Sequence, residues 1–150
     1  MKIAIGCDHG GLSHKNAIAE HLRERGFEVE DFGIYEQVSV DYPVIAEKVC
    51  GSITSQKNDL GILVCGTGIG MSIAANKVKG IRAAAVSEHF SAKYTRLHNN
   101  SNVLCLGGRV IGEGTAIELA DIFVDTQFEG GRHQRRVDMI MDIEIKNKGE

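Results

Sequence analysis

The chain lacks the features that mark membrane, secreted and zinc-binding proteins. No apolar run approaches the roughly 18 residues a membrane helix needs. The first residues, Met1 to Asp8, lead straight into a strand-like segment without the layout of a signal peptide. The four cysteines, Cys7, Cys50, Cys65 and Cys105, form no Cys-x-x-Cys pair, and no cysteine–histidine spacing matches a zinc site. They read as reduced thiols of a cytoplasmic protein, packed as small hydrophobes, with Cys65 set apart for the reasons below. A net charge of -3 gives no broad attraction to nucleic acid or acidic membranes. There is a single proline, and no linker, repeat or low-complexity tract breaks the 150 residues. One domain over residues 1–150 is therefore expected, long enough to bury a sizeable core.

Strand-like and helix-like segments alternate along the chain. Strands are predicted over 2–6, 27–32, 61–65, 82–86 and 102–106, the second of them poorly patterned. Helices are predicted over 11–25, 42–52, 69–78, from an N-cap at Ser87 to about Leu97, over 112–124, and from about 132 to 147. This alternation implies an α/β fold: a Rossmann-like three-layer α/β/α sandwich around a mostly parallel sheet. Ligands of such sheets bind at the carboxyl ends of the strands. The segments that should carry function are thus Cys7-Asp8-His9, Cys65-Gly66-Thr67, Ser87-Glu88-His89 and Gly107-Gly108-Arg109.

The richest of these continues as Cys65-Gly-Thr-Gly-Ile-Gly-Met-Ser72. A glycine loop entering a helix presents free backbone N–H groups suited to a phosphate or a developing oxyanion. A cysteine at its mouth is placed where such donors favour the thiolate. A dinucleotide loop is disfavoured, because Met71 stands where the third glycine of Gly-x-Gly-x-x-Gly belongs. The absence of Gly-Lys-Ser/Thr excludes a P-loop. Asp8 and His9 follow the first strand and would face the same crevice, and Asp8 also suits a helix N-cap; the two roles are compatible. His98 and Asn99, at the end of a helix, suit either a C-terminal cap or a general acid with its neighbour. Arg132 and Arg136 share a helix face and fit either a solvated basic turn or a phosphate clamp.

Four segments together, Met1–Gly10, Cys65–Lys77, His98–Asn102 and Gly130–Val137, resemble the ribose-5-phosphate isomerase B family, which also contains the galactose-6-phosphate isomerase subunits. The resemblance runs from the first strand to the final helix. It implies interconversion of aldose and ketose phosphates through an enediolate, with no metal or organic cofactor. It implies a catalytic set of Cys65, His98, Thr67 and Asp8, with Cys65 as the base and His98 as the acid that opens the sugar ring. Some family members carry a glutamate base where this chain has Met71, so the chain resembles the cysteine type. By the same resemblance Asp8, His9 and Asn99 contact the sugar, and Gly66, Thr67, Gly68, Ile69 and Gly70 hold the enediolate oxygens. Arg109, Arg132 and Arg136 resemble the phosphate ligands. The resemblance further implies a homodimer, or a dimer of dimers, with the site at the subunit interface. The substrate is expected to be ribose 5-phosphate, with a six-carbon sugar phosphate such as allose or galactose 6-phosphate as the alternative.

Overall fold

The continuous apolar runs of the sequence become the middle of a sheet covered on both faces. The structure is a computed structural model that describes residues 1–147. Its strands are β1 (Lys2–Cys7), β2 (Glu28–Asp31), β3 (Leu60–Cys65), β4 (Ala83–Ala85) and β5 (Val103–Gly107), ordered β2-β1-β3-β5-β4. Every neighbouring pair is parallel, which is the expected α/β sheet without an antiparallel member. The helices are α1 (Leu12–Glu24), α2 (Tyr42–Thr54), α3 (Ile69–Ala75), α4 (His89–Asn99), α5 (Glu113–Asp125) and α6 (Arg132–Lys146).

The strand order dictates which face each helix covers. The chain steps from β1 outward to β2, then returns across β1 to β3, so right-handed crossovers put α1 and α2 on opposite faces. α1, α5 and α4 pack side by side on one face, and α2 and α3 on the other. Ile3, Ile5, Ile62, Leu63, Leu104 and Leu106 of the central strands are fully buried between these layers. Each such side chain contributes on the order of 1.5–3 kcal/mol of burial free energy. A buried ion pair, Lys15 Nζ to Asp31 Oδ2 at 2.5 Å, ties α1 to the end of β2. The strand expected over 27–32 thus forms despite its poor alternation, held by pairing to β1 from Lys2↔Glu28 to Ile5↔Asp31.

Three local expectations are corrected. The helix after the glycine loop stops at Ala75 rather than Val78, because Lys77 and Val78 donate three residues back, to the Ala74 and Ala75 carbonyls. The Asn76 side chain then pairs with both the N–H and the C=O of Ala83, fixing β4. The cap of α4 is Glu88 rather than Ser87: its carboxylate accepts from the Phe90 and Ser91 amides at 2.7 and 2.8 Å. Asp8 does not cap α1, whose cap position is Gly11; its Oδ1 accepts instead from the Gly10 amide at 2.8 Å.

Candidate active site

The point where the chain reverses direction across the sheet lies between β1 and β3, and crevices at such points open beyond the strands' carboxyl ends. Asp8 follows β1 there and Cys65 ends β3 beside it. The loops at this edge approach one another backbone to backbone. A Cβ on Gly10 would come within 2.8 Å of the Gly66 nitrogen, and one on Gly108 would collide with the Gly10 carbonyl oxygen. Glycine at these places is what lets three strand ends form one floor. Gly108 and Arg109 donate their amides to the carbonyls of Cys65 and Gly66, closing it from the β5 side.

Cys65 is 4% exposed, and its Sγ accepts a hydrogen bond from the Gly68 amide at 3.1 Å. Gly68 sits at φ 78°, a left-handed conformation that turns this N–H back onto the sulfur. The Ile69 amide donates to Thr67 Oγ1 at 3.2 Å, whereas Gly70, in the first turn of α3, has no intrahelical acceptor for its N–H. α3 is only seven residues long, so the direct Gly68 contact, rather than a long helix dipole, is the local influence on the sulfur. The other thiols have a different setting. Burial pushes Cys7 up to about 11 and Cys50 up to about 12, and drives Cys105 upward as well.

Beside Cys65 the structure places Asp8 and His9 in the loop after β1, Gly66 to Gly70 in the loop that Cys65 opens, and Arg109 in the loop after β5. The Arg109 side chain lies over Gly66, with Nη1 3.6 Å from where a Cβ would stand. Gln37 donates to the His9 carbonyl at 2.7 Å and pins the loop after β1. The remaining predicted residues are elsewhere. His98 and Asn99 end α4, Arg132 begins α6, and Arg136 follows one turn later. A cavity of about 440 Å³ is lined by His98, Asn99, His133 and Arg136 together with Phe90 and Tyr94, and by none of the Cys65 loop. Arg109 is thereby separated from Arg132 and Arg136, with which the resemblance groups it.

Topology explains the separation. α4 runs back from the carboxyl edge of the sheet to the amino edge, where β5 begins at Val103 opposite Ala83. Cys65 is level with Gly107 at the far end of β5, four residues and about 13 Å along the sheet. His98, at the end of α4, and Cys65, at the end of β3, therefore lie toward opposite ends of the strands.

Residues 3–140 match the Ribose/Galactose Isomerase family. The chain belongs to this family. It is 50% identical to ribose-5-phosphate isomerase B of Escherichia coli (strain K12) over 143 residues, covering 95% of this chain and 96% of the relative. A solved ribose-5-phosphate isomerase B from Clostridium thermocellum superposes with a TM-score of 0.97 at 49% identity, covering 99% of this chain and all of the other. The Mycoplasma genitalium ribose-5-phosphate isomerase B, solved with bound ribulose-5-phosphate, has a TM-score of 0.92 at 44% identity and covers 97% of both chains.

Several groups escaped sequence reasoning. The Tyr42 ring, at the start of α2, packs on Gly70, where a Cβ would lie 2.9 Å from its Cζ. Pro43 signals the helix start, but no pattern shows that Tyr42 reaches the next loop. His133 stacks on His98, ring centroids 3.9 Å apart and 9° from parallel, and Tyr94 meets His98 edge-on at 4.8 Å. Glu129 Oε2 stands 3.5 Å from His98 Nε2 and 3.7 Å from His133 Nε2. Burial holds His133 below its ordinary value, helped by the nearby His98, Arg132 and Arg136 and opposed by Glu129. Conversely, the expected segment Ser87-Glu88-His89 serves α4: Glu88 caps it and His89 pairs with Glu118 at 2.7 Å.

Proposed function

We propose that this chain interconverts ribose 5-phosphate and ribulose 5-phosphate. The observation that carries the reading is the Cys65 thiol at the carboxyl edge of the sheet, held by the Gly68 amide and floored by the loops after β1 and β5. A relative of nearly the same fold, at 44% identity, binds ribulose-5-phosphate, which supports the same substrate here.

In this reading the Cys65 thiolate takes the C2 proton of the open-chain aldose, leaving an enediolate, the hydroxyl proton of O2 passes to O1, and the Cys65 thiol returns its proton to C1, which leaves the ketone at C2. A carbon-bound proton beside a carbonyl is weakly acidic, so the step depends on stabilising the developing oxyanion. Amides of the Gly66–Gly70 loop offer preorganised donors for it. Thr67 and Asp8 border the reacting carbons, His9 and Asn99 contact the sugar, and Arg109, Arg132 and Arg136 anchor the phosphate. Anchoring a dianion away from the reacting carbons supplies binding energy that holds the sugar in reactive geometry. His98 donates the proton that opens the furanose ring. The reaction is proposed to need no cofactor.

Because His98 and Cys65 of one chain lie toward opposite ends of the strands, the reading requires a second copy. In a two-fold dimer, one protomer's His98, Asn99, Arg132 and Arg136 complete the partner's Cys65 loop. Exposed apolar side chains at Ile69 and Ile73 of α3, Phe90 of α4 and Ile140 and Ile143 of α6 supply contact surface for it. Among the described residues no helix is long and apolar enough to cross a membrane, and a cytoplasmic homodimer is the proposed form.

The experiment is conversion of ribose 5-phosphate by the parent and by Cys65→Ala. Turnover by the parent and a loss of about 10²–10⁴-fold or more in the variant supports both reaction and base. No turnover by a folded parent would turn the assignment toward six-carbon sugar phosphates, which the family name also covers.

A further inference from the structure

The backbone sets Glu129 against the end of α4. Its amide donates to the Leu97 carbonyl at 3.1 Å, one residue before His98. Gly130 and Gly131, both at positive φ, then turn the chain into α6, and His133 in its first turn stacks on His98. The stack and the Tyr94 edge contact limit rotation of the His98 ring. They do not decide which ring nitrogen carries a proton; the hydrogen-bonding partner of each nitrogen does. Glu129 Oε2 faces Nε2 of both imidazoles, at 3.5 Å from His98 and 3.7 Å from His133. Both separations exceed the 2.7–3.2 Å of an N–H···O bond, and catalytic contacts of this kind often tighten only when substrate is bound.

Charge decides which imidazole the carboxylate serves. Rings stacked 3.9 Å apart repel strongly if both are protonated. The His133 side chain is 5% exposed against 35% for His98, and burial, with Arg132 and Arg136 nearby, disfavours its charged form. An added proton is better placed on His98, and the carboxylate is drawn to that ring. We propose that Glu129 is a positioning residue that keeps a proton on His98 Nε2, so that His98 acts on the sugar through Nδ1. In serine-hydrolase triads a carboxylate likewise holds the imidazole nitrogen remote from the substrate and fixes the tautomer. Glu129 differs in being 58% exposed and in sharing its oxygen with a second imidazole. The catalytic half of the proposal rests on the reading of His98 as the ring-opening acid; the tautomer half does not.

The test uses the full chain labelled with ¹⁵N, with His98→Asn identifying the His98 signals among those of the six histidines. Imidazole ¹⁵N shifts, read above neutral pH, report which nitrogen is protonated. The parent is expected to hold the proton mainly on Nε2, and Glu129→Gln to move the population toward Nδ1 by about threefold or more. With ribose 5-phosphate, Glu129→Gln is expected to lower kcat by about tenfold, less than removal of a buried triad carboxylate costs, with KM within about twofold of the parent. The Glu129 side chain is exposed, so the variant should keep the parent's melting temperature. Protonation on Nδ1 in the parent, or a tautomer that Glu129→Gln leaves unchanged, would overturn the proposal even if kcat fell. A shifted tautomer with the parent's kcat would overturn its catalytic half. Parent-level turnover in His98→Asn would instead overturn the reading of His98 as the acid, and the ¹⁵N spectrum would still decide whether Glu129 selects its tautomer.

Discussion

The Gly68 amide points at Cys65 Sγ from 3.1 Å because Gly68 occupies a left-handed conformation at φ 78°. An alanine there has two penalties. The left-handed backbone costs about 1–2 kcal/mol for a residue with a Cβ. That Cβ would also stand 3.0 Å from the Leu106 carbonyl carbon and 3.2 Å from Cys105 backbone atoms, which belong to a central strand and have little room to yield. Gly68→Ala is expected to lower the melting temperature and also to reduce kcat, since relieving the clash moves the amide off the sulfur. A normal kcat in the variant would show that the contact is dispensable.

The four thiols should differ in reactivity. With Cys7 pushed up to about 11, roughly one molecule in a thousand carries its thiolate at pH 8; Cys50, at about 12, carries less, and Cys105 is fully buried. Alkylation of the folded protein with iodoacetamide is expected to abolish turnover in step with modification of Cys65. Peptide mapping by mass spectrometry checks this. Activity lost in step with Cys7 or Cys50 instead would remove Cys65 from the role proposed for it.

How far the sequence reveals this arrangement depends on the range of the interaction. Strands such as Leu60–Cys65 and Val103–Gly107 are legible because their apolar runs record burial on both faces. The Cys65 loop is legible because its glycines, its turn and its chemistry are contiguous. Helix ends are less legible: the Glu88 carboxylate caps α4 through amides two and three residues on, and α3 ends where Lys77 and Val78 donate three residues back. The His98–Glu129–His133 cluster joins His98 to residues 31 and 35 positions further on, beside the long-range bond from the Glu129 amide to the Leu97 carbonyl. No local pattern records such a contact. The placement of Cys65 and His98 toward opposite ends of the strands is likewise a property of topology, invisible until α4 is seen running back along the sheet.

Stability should fall with acid through His133. Its native pKa lies below the ordinary value near 6.5, with burial as the first cause. As pH drops through 6.5 the unfolded chain takes up this proton and the folded one does not, so protons favour unfolding. The contribution is fully present above pH 6.5 and is lost progressively as pH falls toward the native pKa. Melting temperature against pH should therefore descend below 6.5, and His133→Asn should make that limb shallower. An identical limb in the variant would assign the acid sensitivity to other groups.

Arg136 lines the His98 cavity while Arg109 lies over Gly66, so the phosphate anchors should be separable by substitution. A charge-assisted hydrogen bond to phosphate is worth about 1.5–3 kcal/mol, or about 10–100-fold in kcat/KM. Arg136→Ala and Arg132→Ala are expected to lose that much with ribose 5-phosphate, mainly through KM. Unchanged kinetics in both would take the α6 arginines out of the substrate site.

Opposite placement of His98 and Cys65 in one chain leads to a complementation experiment. Cys65→Ala protein has an intact His98, and His98→Ala protein has an intact Cys65; each homodimer is expected to be inactive. Mixed after dissociation and reassociation, they form hybrid dimers in which one composite site pairs a damaged Cys65 with a damaged His98. The other site pairs Cys65 from one protomer with His98 from its partner and is whole. Statistical reassortment makes half the dimers hybrid, each with one of two sites restored, so activity should recover to roughly a quarter of the parent's. A chain that completed its own site would recover nothing, because every protomer in the mixture carries one lesion. The recovered fraction therefore distinguishes a shared site from a self-contained one without any structure of the assembly.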